Sequence, residues 1–288
     1  MNRFFGFFVL AIFVFLPFSA KSEAFGAVFS GGGGKGAYQV GVWRALCERG
    51  VAQKITAISG SSVGALNAAL FACVPIETAE KLWTDEVPRN LTKDDALISQ
   101  NGLLTVIEKI DVSKIRLIES PAIFVTTVRS RLPIFKLFTA TPGFYAHRFL
   151  LNLEDDDEIK KLLLATSAFP ILTDPVKLSD GHLHSDGGNE KMGGDNVPIY
   201  PIEEACPEVK KVVIVYLEQK PERRIRAIDH ESLELLEIIP TIDLGGLLDG
   251  TANFSKERIE LLIRQGYEDA CAVLDKKKIR PVSSWWFE

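Results

Sequence analysis

Three stretches of this 288-residue chain bring together residue types that can do chemistry. The first is Ser30-Gly31-Gly32-Gly33-Gly34-Lys35-Gly36. Bare glycines let backbone N–H groups at a helix N-terminus converge on an anion, either a phosphate or an oxyanion that forms only in a transition state. A P-loop requires Ser or Thr after its lysine, and Gly36 follows Lys35, so that reading fails. Gly31-x-Gly33-x-x-Gly36 fits a dinucleotide-binding spacing formally, but the next strand ends in Ser59-Gly60-Ser61, without an acid for a ribose hydroxyl. The second stretch is Gly60-x-Ser62-x-Gly64, again between strand and helix signals. This pattern forces a serine onto a tight turn and exposes its hydroxyl at a helix start, as a nucleophile requires. Its spacing selects Ser62 over the neighbouring Ser61. The third is His184-Ser185-Asp186-Gly187-Gly188, where Asp186 ends a short strand. A carboxylate close to a serine hydroxyl accepts its proton when the site is dry enough to raise its basicity. Taken alone, Asp-Gly-Gly is also an ordinary turn.

These residues meet only if strand ends and helix starts carry them to one place. Gly26–Ser30 reads as a buried strand that stops at the glycines. The spacing predicts a helix over Ala37–Arg49, with Val40, Trp43, Leu46 and Cys47 on one side and Gly50 closing it. Ile55–Ser59 reads as a second strand, and Ser62–Cys73 as an apolar helix ending before Pro75. Further strands are predicted at Ile123–Thr127, Ile134–Phe138 and Val212–Leu217, and helices near 76–87, 157–166 and 252–274. Strands alternating with helices predict an α/β sandwich with a mainly parallel sheet. An α/β-hydrolase would spend several strands before its nucleophile and then supply an acid and a histidine in that order, which fits this chain badly. Of the histidines (His147, His182, His184, His230), His182 and His184 alternate on a strand and read as structural or surface groups. The acidic run Glu154–Glu158 reads as a solvated helix start rather than a cation site.

In combination the three stretches resemble the patatin-like phospholipase family. Its pattern is a glycine-rich oxyanion loop ending in a basic residue and glycine, a G-x-S-x-G nucleophile, and a downstream Asp-Gly-Gly. Ala165-Thr166-Ser167-Ala168-Phe169-Pro170 is similar to the family's block before the aspartate, and Asn196-Val197-Pro198 to the Asn-x-Pro after it. The resemblance implies a three-layer α/β/α sandwich, distinct from the α/β-hydrolase fold. It implies a Ser62–Asp186 dyad without a catalytic histidine, working through an acyl-enzyme. The oxyanion would be held by Gly31, Gly32, Gly33 and Gly34, and the motifs supported by Lys35, Gly36, Gly60, Gly64, Gly187 and Gly188. No metal and no cofactor are implied. The implied substrate is a phospholipid or lysophospholipid carboxylic ester, met by transient contact with a membrane surface. A general lipid or short-chain esterase, or a catalytically idle lipid-binding protein, are the alternatives. Two departures stand out: Lys35 replaces the commoner arginine, and Asn189–Asp195 is longer than the family pattern.

Composition narrows the classes further. Thirty-three basic against thirty-eight acidic residues leave a net charge of −5, which argues against a nucleic-acid partner. The cysteines Cys47, Cys73, Cys206 and Cys271 lack zinc-ligand spacing and read as buried small hydrophobes. Residues 1–24 have the build of a signal peptide: Arg3, the apolar run Phe4–Phe18, then small residues with candidate cuts after Ser22 or Ala24. As a helix that run would rise about 22 Å, short of a bilayer's hydrocarbon core of roughly 30 Å. The expectation is an exported protein, secreted or periplasmic, with residues 25–288 as the catalytic domain; an uncleaved membrane anchor is the alternative. Trp285-Trp286-Phe287 could meet a bilayer interface or close the core. Segment 89–120, which lacks periodicity, is a candidate lid.

Overall fold

A computed structural model describes residues 23–92, 97–129, 145–170, 172–220, 224–225 and 227–281. Residues 1–22 of the expected signal segment, the strand expected at 134–138 and the aromatic C-terminus lie outside the described residues. The strands are β1 (Phe25–Phe29), β2 (Ile55–Ser61), β3 (Ala122–Arg129), β4 (Ala146–Leu150), β5 (Val176–Lys177), β6 (Leu183–Asp186), β7 (Lys211–Val215) and β8 (Glu234–Ile238). The helices are α1 (Ala37–Glu48), α2 (Val63–Cys73), α3 (Ile76–Lys81), α4 (Val87–Leu91), α5 (Gln100–Ile107), α6 (Ser113–Leu117), α7 (Asp156–Thr166), α8 (Tyr200–Ala205) and α9 (Lys256–Lys276). Strands β3-β2-β1-β7-β8 pair in parallel, and β4, β5 and β6 add antiparallel pairings at the β3 side.

The sheet is covered on both faces, as a parallel sheet must be. Ala27 and Phe29 of β1, Ile58 of β2 and Val213 and Val215 of β7 join the larger core, under α1, α2, α7 and α9. The alternate residues Val28, Ala57, Val212 and Ile214 face a second core with Val197, Ile199, Ile202 and Val209, in and around α8. The result is the expected three-layer sandwich, with one layer reduced to a short helix and its flanks. Helix α1 ends before Gly50, whose φ of +66° turns the chain back into β2. Helix α7 starts where the acidic run predicts, with Asp155 accepting from the Glu158 N–H at 2.8 Å. Helix α9 begins at Lys256, later than the periodicity predicts, because Ser255, at its N-cap position, is extended; Leu247–Thr251 forms a separate π-helical turn ahead of it.

Strand β3 sets the geometry of everything that follows. Its residues Phe124–Thr126 pair with both β2 and β4, and Thr127 pairs with both β4 and β6. A strand has two edges, so β2 and β6 share one of them, end to end. Ser61 is opposite Thr126, and Asp186 is opposite the next residue, Thr127.

Candidate active site

Between β2 and α2 the chain turns through Ser62 at φ +53°, ψ −129°, a conformation that L-residues rarely adopt and that costs on the order of 1–3 kcal/mol. The structure over-determines it. Ser62 N–H donates to Thr166 Oγ1 at 2.9 Å, and a Cβ on Gly64 would lie 2.1 Å from the carbonyl oxygen of Phe29. Gly60 packs under the same turn, against Gly64 and Ala65. Ser62 therefore precedes the helix instead of opening it, and its hydroxyl stands at the positive end of α2.

The Ser62 hydroxyl donates to Asp186 Oδ2 at 2.8 Å, although 124 residues separate the two. The other carboxylate oxygen, Oδ1, accepts the Gly188 N–H at 2.7 Å. Asp186 is 5% exposed, and burial pushes its pKa up to about 6, against the lowering effect of its hydrogen bonds from Ser62 and Gly188. Thr166, the last residue of α7, is the keystone. Its hydroxyl donates to the Thr126 carbonyl at 2.6 Å while accepting from Ser62, and its own carbonyl accepts the Gly187 N–H at 3.2 Å. The Asp186 N–H reaches the carbonyl of Ala168 at 2.9 Å. Gly187 fits because a Cβ there would lie 1.9 Å from the Thr126 oxygen.

The glycine loop lies across the cleft from the dyad. Gly31 N–H donates to Asn196 Oδ1 at 2.9 Å, so this amide is committed. That corrects the expectation for Gly31: it anchors the loop and has no free N–H for an oxyanion. Gly32 and Gly33 border the cleft beside Ser62, and among the described residues neither N–H has a protein acceptor. Gly34 is buried behind them. Lys35 is also buried, 7% exposed, and burial lowers its pKa while Glu218, Asp243 and Asp249 oppose the shift. The loop is pinned at both ends through buried amides. Gln39 Nε2 donates to the Ser30 carbonyl at 2.7 Å, and Asn67 Nδ2 to the Gly36 carbonyl at 3.0 Å and to Gln39 Oε1 at 2.8 Å. Asn67 Oδ1 accepts from Trp83 Nε1 at 2.9 Å, which ties a wall residue of the adjoining slot to the loop.

Two cavities meet at Ser62 and Asp186. One is a narrow slot of about 90 Å³ whose walls include Leu66, Leu70, Leu91, Leu103, Val106 and Ile107. The other is a wide, mixed-polarity cleft of about 880 Å³, bordered by Lys35, Lys191, Lys220, Glu190, Glu218 and Asp243. The described part of segment 89–120 is packed into the fold: Leu91, Leu103 and Ile107 are buried in the main core and line the slot. The long stretch after Gly188 borders the wide cleft through Asn189, Glu190 and Lys191. Among the described residues no histidine lines either cavity, and His184 is held by Thr127 Oγ1 at 2.8 Å and Asp180 Oδ2 at 3.0 Å. Nor does any group of three or more His, Cys, Asp or Glu among them gather in a metal-holding arrangement.

The patatin-like phospholipase family pattern matches residues 27–202, more than half of the chain and every residue of the two glycine motifs and the dyad. The chain belongs to the patatin-like phospholipase family. Membership places it among lipid hydrolases. Its fold is similar to that of VipD from Legionella pneumophila, with a TM-score of 0.56 and 15% identity over 88% of this chain and 67% of VipD. ExoU of the Pseudomonas aeruginosa type III secretion system, in complex with SpcU, aligns at a TM-score of 0.44 and 14% identity over 88% of this chain and 53% of ExoU. Human GIVD cytosolic phospholipase A2 aligns at 0.47 and 9% identity over 90% of this chain and 60% of that one. No curated protein sequence matches the chain.

Thr166, Asn196, Asn67 and Gln39 were not among the residues singled out for the site. The first two stand in blocks that the family resemblance already marks, Ala165–Pro170 and Asn196–Pro198. Asn67 and Gln39 leave a fainter trace, as lone amides on the apolar helices α2 and α1.

Proposed function

We propose that this patatin-like protein is a lipid acyl hydrolase that cleaves carboxylic esters of phospholipids or lysophospholipids through a Ser62–Asp186 dyad. The observation that carries the proposal is the 2.8 Å hydrogen bond from the Ser62 hydroxyl to a buried Asp186 carboxylate, made where an apolar slot opens into a polar cleft. Ser62 Oγ attacks the ester carbonyl as Asp186 Oδ2 takes its proton, and the N–H groups of Gly32 and Gly33 receive the oxyanion. Collapse of the tetrahedral adduct expels the alcohol, protonated by Asp186, and leaves Ser62 acylated. Water, deprotonated by the same carboxylate, then releases the fatty acid. A carboxylate suffices as base because burial raises its affinity for the proton, and the Gly188 N–H on Oδ1 orients it without a third side chain.

In this reading the apolar slot receives the acyl chain, and the wide cleft with its three lysines and three acids receives the head group. The substrate's insolubility calls for contact with a lipid surface, and the signal-like N-terminus for action outside the cytoplasm. The test is fatty-acid release from phosphatidylcholine and lysophosphatidylcholine with EDTA present. Ser62→Ala and Asp186→Asn should each abolish release, and a fluorophosphonate should label Ser62. Release that persists in Ser62→Ala would sink the proposal.

A further inference from the structure

The π-helical turn Leu247–Thr251 holds two leucines side by side in solvent: Leu247 is 49% exposed and Leu248 67%. The turn is closed rather than slack. Gly246 N–H donates to Asp249 Oδ1 at 2.8 Å, and Thr251 and Ala252 donate to the carbonyls of Gly246 and Leu247 at 2.8 Å each. Its far end is wedged against the glycine loop, with the Thr251 oxygen 2.3 Å from where a Cβ of Gly33 would be and the Asn253 oxygen 2.4 Å from that of Gly34. Leu247 borders the wide cleft, and Thr251 borders both cavities. Leu247 thus stands at the mouth of the site with Leu248 beside it in the chain, on a turn packed against the oxyanion loop.

Charge narrows what can cover it. From Ile242 to Ser255 the only charged residues are Asp243 and Asp249. Around the cleft Lys35, Lys191 and Lys220 are matched by Glu190, Glu218 and Asp243. Among the described residues this rim is balanced in charge and offers no net cationic field to an anionic membrane, so what its exposed leucines can gain is burial of apolar area, which a neutral interface supplies. We propose that Leu247 and Leu248 are the lipid-contact point of the protein, entering the surface of a zwitterionic phospholipid layer and bringing the cleft mouth onto its substrate. The proposal rests on the lipid acyl hydrolase reading and names the surface that reading needs. Leu117 and Leu153, each 81% exposed, provide an internal comparison: they flank the start of β3 and the end of β4, at the opposite end of the sheet from Ser62.

The experiment uses full-length protein carrying Ser62→Ala, so that binding is read without turnover, and phosphatidylcholine vesicles with and without an anionic lipid. Leu248→Asp should lower partitioning onto phosphatidylcholine vesicles at least tenfold, and Leu153→Asp by less than twofold. Leu248→Trp should retain partitioning and add a fluorescence signal that brominated acyl chains quench, reporting insertion at that position however the rest of the chain is attached. In the Ser62 protein, Leu248→Asp should lower hydrolysis of vesicles by the same factor as binding and change that of a water-soluble short-chain ester by less than twofold. Unchanged partitioning of Leu248→Asp, an added Leu248→Trp signal that bromolipid leaves unquenched, or binding confined to anionic vesicles would overturn the proposal. So would an equal loss on soluble and vesicle substrates, which would mean a distorted site. Failure of the Ser62 protein on the soluble ester would instead count against the dyad, while the Ser62→Ala partitioning still judges the leucines.

Discussion

Replacing Asp186 by Asn should make the protein more stable while it removes the reaction. The folded chain holds the Asp186 proton until about pH 6, whereas an unfolded carboxyl releases it near its ordinary value of 3.8. Between these values the folded state binds the extra proton, so stability falls as pH rises through that window and stays lower above it. At 1.36 kcal/mol per pH unit the gap is worth about 3 kcal/mol at pH 8 and about half that at pH 5. Asn is neutral throughout, its carbonyl can keep the bond from Gly188 N–H, and its amide can donate to Ser62 Oγ. For a domain of this size 3 kcal/mol raises Tm by roughly 6–12 °C. The assay is thermal unfolding of the wild-type and Asp186→Asn proteins in parallel from pH 5 to pH 8, since the difference between them cancels every other titrating group. Ester hydrolysis, followed in the same samples, should drop by about 10²–10⁴ with loss of the general base. A destabilised Asp186→Asn at pH 8, or a gain that does not grow with pH, would refute the idea that this carboxylate is held ionised at the expense of the fold.

The same carboxyl dictates the pH profile: with a water-soluble ester, kcat/KM should rise about tenfold per pH unit up to about pH 6 and level off above it, because only ionised Asp186 accepts the Ser62 proton. A limb that persists in Asp186→Asn would show that another group titrates. Asn196→Ala releases the Gly31 amide and should lower kcat by about tenfold or more with little change in KM. The ceiling is the roughly 2.7–4 kcal/mol that one oxyanion donor contributes, and steady-state kinetics on the soluble ester decides it. Val106→Phe narrows the slot and should lower the ratio of long-chain to short-chain kcat/KM by about tenfold; an unchanged ratio would mean that acyl chains bind elsewhere.

The chemistry of this site was more legible in the sequence than its support. Strand–turn–helix context around Gly60–Gly64 was enough to single out Ser62, because the steric demands of that turn are local. Asp186 stood out as a candidate base, but its pairing with Ser62 was carried by the family resemblance, since their meeting depends on how β6 registers against β3, a pairing that leaves no local pattern. Gly31 was misassigned for a similar reason: a glycine that must offer its N–H to a reaction and one that must offer it to Asn196 look alike in a sequence. Segment 89–120 hides its stripe because α4, α5 and α6 are only five to eight residues long: Leu103, Val106 and Ile107 of α5 do share one buried face, but one or two turns are too few for a period to stand out.

The shared edge of β3 separates what is fixed in this protein from what is free to vary. Nucleophile and base are neighbours because Ser61 and Asp186 face successive residues of one strand, so their spacing is set by a single peptide step. A slip of β6 by one residue would turn Asp186 to the opposite face of the sheet and end the reaction. The slot, in contrast, takes much of its wall from α4 and α5, which lie between β2 and β3 in the chain and carry no residue of the dyad. Lengthening or reshaping that excursion alters which chains fit without moving either reacting atom. The range of lipids such a protein accepts can therefore drift under mutation while its chemistry stays where β3 holds it.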